Sequence, residues 1–222
     1  MRVAIDLPDS FLSPLFDAAV ARAIAPVEDA MGELPPEEAA LVARAVESRR
    51  REFSTGRRLA RRLIADRGIG PGPILRDDDR VPIWPAGIAG SISHSRAFAV
   101  VAVCDAASCF GVGIDVEPDE PVKDGIERHV CTPAEREWLD GIDADEAGRG
   151  RRVKLVFSAK EAVYKAFYPR VRVFWGFHDV MLELDEEGGR FRASLPASAG
   201  RRHVEGRFVR GHGTIVSGVL AP

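Results

Sequence analysis

The run Cys109-Phe110-Gly111-Val112-Gly113-Ile114-Asp115-Val116-Glu117-Pro118 constrains the chain more than any other. Its β-branched residues read as a strand, and its terminal proline cannot continue a hydrogen-bonded ladder. Side chains alternate along a strand, so Asp115 and Glu117 share one side while Ile114 and Val116 take the other. Two carboxylates on one face repel each other unless a cation or a proton sits between them. Donors that are all oxygen suit a hard ion such as Mg²⁺, which completes its shell with water and phosphate oxygens. A solvated strand end accounts for a lone D-x-E equally well.

A second stretch, Phe157-Ser158-Ala159-Lys160-Glu161-Ala162-Val163-Tyr164-Lys165, carries two kinds of surface. At about 100° per residue, Val156, Ala159, Val163 and Phe167 form one apolar stripe. Phe157, Glu161, Lys165 and Lys154 lie roughly opposite, with Lys160 and Tyr164 on the shoulder. Aromatic residues beside Lys160 and Glu161 suit a site with an apolar wall and polar groups aimed inward. Structure alone offers another explanation. Ser158-x-x-Glu161 fits a capping box, and Glu161 with Lys165 is a favourable i,i+4 pair.

Taken together, G-V-G-I-D-V-E and, about 40 residues later, F-S-A-K-E-A-V-Y-K resemble the paired signature of the 4′-phosphopantetheinyl transferases. Arg49-Arg50-Arg51-Glu52-Phe53, Thr55-Gly56-Arg57, Trp84-Pro85 and Gly90-Ser91-Ile92-Ser93-His94 extend the likeness to the Sfp-type group, in particular its enterobactin-synthase-associated subgroup. The resemblance runs from about Leu41 to about Phe177. It implies an α+β fold of two similar α/β halves packed about a pseudo-twofold axis. Residues 1–105 would form the half with the coenzyme A phosphate-binding arginines, and residues 106–222 the half with the metal site and catalytic helix.

The implied reaction moves 4′-phosphopantetheine from coenzyme A to a serine of an acidic apo-acyl or apo-peptidyl carrier protein, releasing adenosine 3′,5′-bisphosphate. By the same resemblance, Arg49, Arg57, Ser93 and His94 contact coenzyme A. Arg76 stands where the family usually has lysine and keeps the charge. Asp115, Glu117 and Glu161 would hold Mg²⁺, with Mn²⁺ as an alternative, and Asp115 would also border the cofactor. Lys160 and Lys165 would hold phosphate or neutralise the leaving group. Glu161, directly or through a metal-bound water, would take the serine proton. Val116 sits where some relatives add a polar side chain to the metal shell, so water would fill that position. Phe174-Trp175-Gly176-Phe177 would help to wall the pantetheine arm.

Composition narrows the class without naming a reaction. The 222 residues are 45% hydrophobic and 29% charged, with a net charge of −3, which suits a soluble globular protein. Cys104, Cys109 and Cys131 have no metal-type spacing and read as reduced thiols of a cytoplasmic protein. Met1–Asp6 lacks a long apolar leader, and no run approaches membrane-spanning length. The family likeness implies a monomer. Charge is unevenly spread: nine arginines lie between Arg44 and Arg67, thirteen acids between Asp105 and Glu146, and lysines number four in all. Arginine pairs bidentately with phosphate or carboxylate. The basic segment lacks the aromatic interleaving of a nucleic-acid binder. Two other readings stand beside the leading one: a different Mg²⁺-dependent nucleotide phosphotransferase or hydrolase, and a non-catalytic module that binds acidic partners.

Local signals give further expectations. Leu15 to Ala25 reads as helical. Pro35-Pro36-Glu37-Glu38 opens a helix that continues, with a possible break, to Gly68–Pro73. Asp77–Arg80 reads as a hairpin tip, and Ala97–Val103 as a strand paired in a hairpin with the carboxylate strand. Thr132-Pro133-Ala134-Glu135 starts a helix. Gly141–Gly150 reads as a polar loop, and Tyr168-Pro169 as the end of the catalytic helix. Val180–Leu184, Arg190–Leu195, His203–Val209 and Thr214–Leu220 read as strands.

Overall fold

The computed structural model describes residues 7–70, 72–123, 125–142 and 144–222. Met1–Asp6, read above as lacking a leader, lies outside the described residues, as do Pro71, Asp124 and Asp143. In chain order the elements are β1 (Ala21–Pro26), α1 (Pro36–Ala40), α2 (Glu47–Ala65), β2 (Ile88–His94), β3 (Phe98–Asp105), β4 (Gly111–Pro118), α3 (Ile126–Val130), α4 (Pro133–Asp140), α5 (Glu146–Val171), β5 (Met181–Asp185), β6 (Arg190–Ser194), β7 (His203–Gly211) and β8 (Thr214–Ala221).

The architecture is α+β with two antiparallel sheets, ordered β1-β3-β2 and β4-β8-β7-β6-β5. Both follow one plan. A first strand is followed by a long helix, then by a meander whose last strand returns to pair with the first: β3 with β1, and β8 with β4. The four C-terminal strands fall where their alternation places them. Phe191, Ala193, Val204 and Phe208 face the buried side with the α5 stripe of Val156, Ala159, Val163 and Phe167.

Several local expectations give way to tertiary context. Leu15 to Ala25 is not a helix: Asp9–Leu15 makes 3₁₀ turns and Ala21–Pro26 is a strand, because β3 offers a ladder that alanine propensity cannot outweigh. Ser158 caps nothing. It lies buried inside α5 and bonds Ser217 Oγ at 3.0 Å. The cap belongs to Asp145, which accepts from Gly148 N at 2.7 Å, so the second half of the expected Gly141–Gly150 loop is the start of α5. Pro169 lies inside that helix, which ends only at Arg172 with φ 54°. The hairpin tip at Asp77–Arg80 does form: Arg80 N donates to Asp77 O at 2.9 Å, Asp77 N to Val81 O at 3.0 Å and Ile83 N to Leu75 O at 2.9 Å, around an antiparallel bridge between Arg76 and Pro82.

The largest correction concerns β3 and β4. They are not hairpin partners and belong to different sheets. The sheets meet instead through β2, whose serines reach the free edge of β4. Ser91 Oγ accepts from Ile114 N at 3.1 Å, and Ser93 Oγ from Val116 N at 3.4 Å. Edge amides that would otherwise be buried without partners are satisfied by hydroxyls rather than by another strand.

Candidate functional site

β4 sends Val112, Ile114 and Val116 into one core. Its other face, Gly111, Gly113, Asp115 and Glu117, turns towards α5. The two glycines are needed there. A Cβ at Gly111 would land on the Ala166 carbonyl oxygen, and one at Gly113 on that of Ala162. Helix and strand therefore approach backbone to backbone, and the carboxylates of β4 come beside Glu161 and Lys165 of α5.

Asp115 is 3% exposed. Its Oδ1 accepts from Lys165 Nζ at 2.5 Å and from Ser93 Oγ at 2.8 Å. Lys165 also donates to Ser93 Oγ at 3.0 Å, so the Ser93 hydroxyl donates once and accepts twice. Asp115 Oδ2 is buried with no partner among the described residues. Glu117 Oε2 pairs with Lys154 Nζ at 3.1 Å. Burial raises the pKa of Glu161, and the nearby Asp115 and Glu117 charges add to this against the pull of Lys165. Glu117 is raised likewise, by burial and then by Asp115. These carboxylates disfavour one another's ionised form, which is the electrostatic signature of a place for positive charge.

Across the cleft stands the other half. A cavity of about 410 Å³ is lined by Arg49, Arg57, Arg76 and His94 on one side and Glu161, Tyr164, Lys165 and Tyr168 on the other. Arg57 lies 5% exposed in α2, over the Phe53 ring at 4.8 Å. Burial, and after it the neighbouring arginines opposed by Glu38, lowers its pKa to about 10, so it stays cationic at neutral pH. Its Nε is buried without an acceptor among the described residues. Arg57 also lines the cavity, and a buried guanidinium with an N–H left unpaired favours an anion beside it. His94 is lowered to about 4, by burial and then by Arg49 and Lys165. Its Nε2 meets Arg49 Nη1, and its Nδ1 lies 3.2 Å from Glu52 Oε2. Arg49 donating to Nε2 leaves the proton on Nδ1, which faces Glu52.

Six of the ten site residues expected from the sequence line this cleft, Ser93 and Asp115 bond to Lys165 beside it, and Glu117 lies near enough to Glu161 to raise its pKa, so nine gather here. Lys160 does not. It is 3% exposed and points away, donating to Glu135 Oε2 at 2.7 Å, Val130 O at 2.9 Å and Phe177 O at 2.8 Å. The helical wheel put Lys160 on the shoulder between two faces, and packing of α3 and α4 turned the shoulder into the interior. Tyr164 and Tyr168, stacked at 4.8 Å between ring centroids, form a cleft wall. Tyr168 was read only as part of a helix stop, yet its i,i+4 spacing from Tyr164 carried the signal. Of the aromatic cluster, Trp175 belongs to the core, whereas Phe174 is 78% exposed and edges against Tyr164 at 6.1 Å.

A family model described as the 4′-phosphopantetheinyl transferase N-terminal domain matches residues 37–104, and that of the 4′-phosphopantetheinyl transferase superfamily matches residues 111–209. The 4′-phosphopantetheinyl transferase Svp of Streptomyces mobaraensis is 41% identical over 201 residues, which are 86% of this chain and 80% of that protein. This chain belongs to the 4′-phosphopantetheinyl transferase family. As such a transferase it moves phosphopantetheine from coenzyme A to carrier proteins. The 4′-phosphopantetheinyl transferase PptT of Mycobacterium tuberculosis is 40% identical over 162 residues, covering 70% of this chain and 69% of the relative. The enterobactin-synthase side of the family is more distant. Enterobactin synthase component D of Salmonella typhi is 32% identical over 128 residues, covering 55% of this chain and half of that protein, 50%.

The metal expected from the sequence can be weighed against this geometry. No group of three His, Cys, Asp or Glu residues among the described residues is already drawn together around one ion position, since Lys165 and Lys154 engage two of the three carboxylates. The donor chemistry nevertheless fits a hard cation. The donors are all carboxylate oxygens, one of them the unpartnered Asp115 Oδ2, and Glu117 and Glu161 are held above their ordinary pKa by burial and by negative neighbours.

Proposed function

We propose that the transfer runs in the cleft between α2 and α5, with binding assigned to one wall and chemistry to the other. The buried, acceptor-less Nε of Arg57 carries this reading. Together with Arg49 and Arg76 it gives coenzyme A phosphates a cationic wall, with Ser93 and His94 at its edge. His94, neutral and already accepting from Arg49, orients that arginine. Lys165 holds its ammonium between Ser93 and Asp115 at the border of the two walls. There it can neutralise charge that accumulates on the departing bisphosphate.

Glu161 lines the same cavity and forms no ion pair among the described residues. Its raised pKa favours accepting a proton from the attacking serine hydroxyl, so it serves as the general base. Asp115, Glu117 and Glu161 are the residues that would hold Mg²⁺, or Mn²⁺ in its place. When bound, such an ion supplies Lewis-acid stabilisation of phosphate oxygens. Tyr164, Tyr168 and the exposed Phe174 give the pantetheine arm an apolar border.

We further take the chain to act as a cytoplasmic monomer of two halves, residues 1–105 and 106–222, on an acidic acyl or peptidyl carrier. Among the described residues no helix is long and apolar enough to cross a membrane. Incubation with coenzyme A, Mg²⁺ and an apo-carrier, followed by mass spectrometry of the carrier, tests the reading. One added phosphopantetheine per carrier is expected. Coenzyme A cleavage without carrier modification would point to a hydrolase instead, and binding without turnover to a non-catalytic module.

A further inference from the structure

Among the described residues each half of the molecule buries one glutamate, and the two share a pair of contacts, although Glu135 Oε2 also accepts from Thr132 N at 2.7 Å in the capping box of α4. Glu38 is the third residue of α1, which opens on Pro36, and it is 0% exposed. Its Oε1 accepts from Ile74 N at 2.7 Å and its Oε2 from Arg61 of α2 at 2.5 Å. Glu135 is the third residue of α4, which opens on Pro133, and it is 2% exposed. Its Oε1 accepts from Leu182 N at 2.7 Å and its Oε2 from Lys160 of α5 at 2.7 Å. In both halves a short helix supplies the carboxylate, the long helix supplies the cation, and the segment after the long helix supplies the backbone N–H. Lys160 is thus the counterpart of Arg61.

A buried carboxylate that loses one such partner leaves an uncompensated charge, so each clamp is made as a unit and fixes its long helix in one position. What each helix presents is different. Arg61 lies one turn from Arg57, and Ile74 lies two residues before Arg76. Lys160 is next to Glu161 and five residues before Lys165. We propose that Glu38 and Glu135 are positioning residues with divided roles: Glu38 sets the coenzyme A phosphate wall, and Glu135, through Lys160, sets the wall that carries the proton transfer. This rests on the assignment of Arg57 to phosphate and Glu161 to the base.

The test uses the full chain with coenzyme A, Mg²⁺ and an apo-carrier, reading coenzyme A Kd by calorimetry and kcat at saturation. Glu135→Gln should lower kcat about tenfold or more, as misplacement by a fraction of an ångström would, while coenzyme A Kd stays within about twofold. Glu38→Gln should do the reverse, weakening coenzyme A with kcat kept. A purely structural role would move both quantities together in both variants, and that result would overturn the proposal. Should the glutamine variants fail to fold, the charge-keeping exchanges Lys160→Arg and Arg61→Lys carry the same contrast, and wild-type values in both would overturn it. Glu161→Gln separates the premises. If it keeps wild-type turnover, the base assignment fails and the divided roles fail with it. If it is inactive while Glu135→Gln is unimpaired in kcat, only the clamp is overturned.

Discussion

The two walls of the cleft are built on one plan and hold opposite charge. The α2 wall gathers Arg49, Arg57 and Arg76 with a histidine kept neutral by burial, Arg49 and the facing Lys165. The α5 wall gathers Asp115, Glu117 and Glu161, with Lys165 bonded to Asp115 and Lys154 to Glu117. Each wall taken alone is electrostatically uncomfortable. Guanidinium groups crowd one another on the first, and carboxylates raise one another's pKa on the second. Such strain is stable only where the surrounding fold over-determines it, and it is relieved by ligands of the opposite sign. On the proposed assignments, one strand–helix–meander plan would serve binding in one half and chemistry in the other through the charge its long helix displays.

The sharpest way to break this contrast is Glu161→Gln. It should lower kcat by roughly 10²–10⁴-fold, the range for loss of a general base, while coenzyme A affinity is retained. In the wild type kcat should fall as pH drops through the pKa of the base, because the base must be ionised; burial raises that pKa in the metal-free protein, and a bound Mg²⁺ would draw it back down. That limb should vanish in the variant. A comparable loss of coenzyme A affinity would mean that the α5 wall also binds the phosphates.

Arg57→Ala should do the opposite. Losing charge-assisted bonds to phosphate should weaken coenzyme A binding by roughly 10- to 100-fold in a calorimetric titration without carrier, with saturated kcat little changed. Gly113→Ala attacks the seam rather than either wall. The added methyl meets the Ala162 carbonyl, a backbone atom that cannot rotate away. Denaturant unfolding should show about 1–3 kcal/mol of lost stability.

His94 offers a finer probe. Its imidazole should stay neutral down to about pH 4 in the free protein, since burial and neighbouring cations lower its pKa. Coenzyme A phosphates bound on this wall should raise that value, observable as an NMR titration of the ring protons with and without ligand. The smallest effect is expected from Arg58→Ala and Arg62→Ala. Arg58 pairs with Glu28 at 2.5 Å, and Arg62 with Asp9 at 2.9 Å, away from the cavity. Coenzyme A affinity should remain within experimental error. A clear loss in either would make the whole basic helix, rather than one face of it, the phosphate site.

Much of the site could be read in advance because its residues sit close together in two short segments. Alternation in β4 put Asp115 and Glu117 on one side, and the wheel of α5 put Glu161 and Lys165 on one face. Both relations are local and follow from the geometry of a single element. Lys160 shows the limit. Its neighbour Glu161 was placed well by the same wheel, but what covers the shoulder of α5 is decided by α3 and α4, which arrive from elsewhere in the chain. The glycines of β4 were legible only as strand residues. Their purpose appears when α5 lies against them.

The sequence by itself determined the type of nearly every element in the C-terminal half, the charge of each wall, and the pairing of motifs that marks the family. Tertiary structure alone decided that β1 is a strand despite its alanines, and that β4 pairs with β8 while β2 serines satisfy its other edge. It also decided that Ser158 is buried where a cap was expected, and that Glu38 and Glu135 clamp their helices from within. The physical reason is the same in each case. Periodicity and propensity report what a residue prefers next to its sequence neighbours, whereas burial and hydrogen-bond satisfaction depend on which distant backbone arrives to meet it.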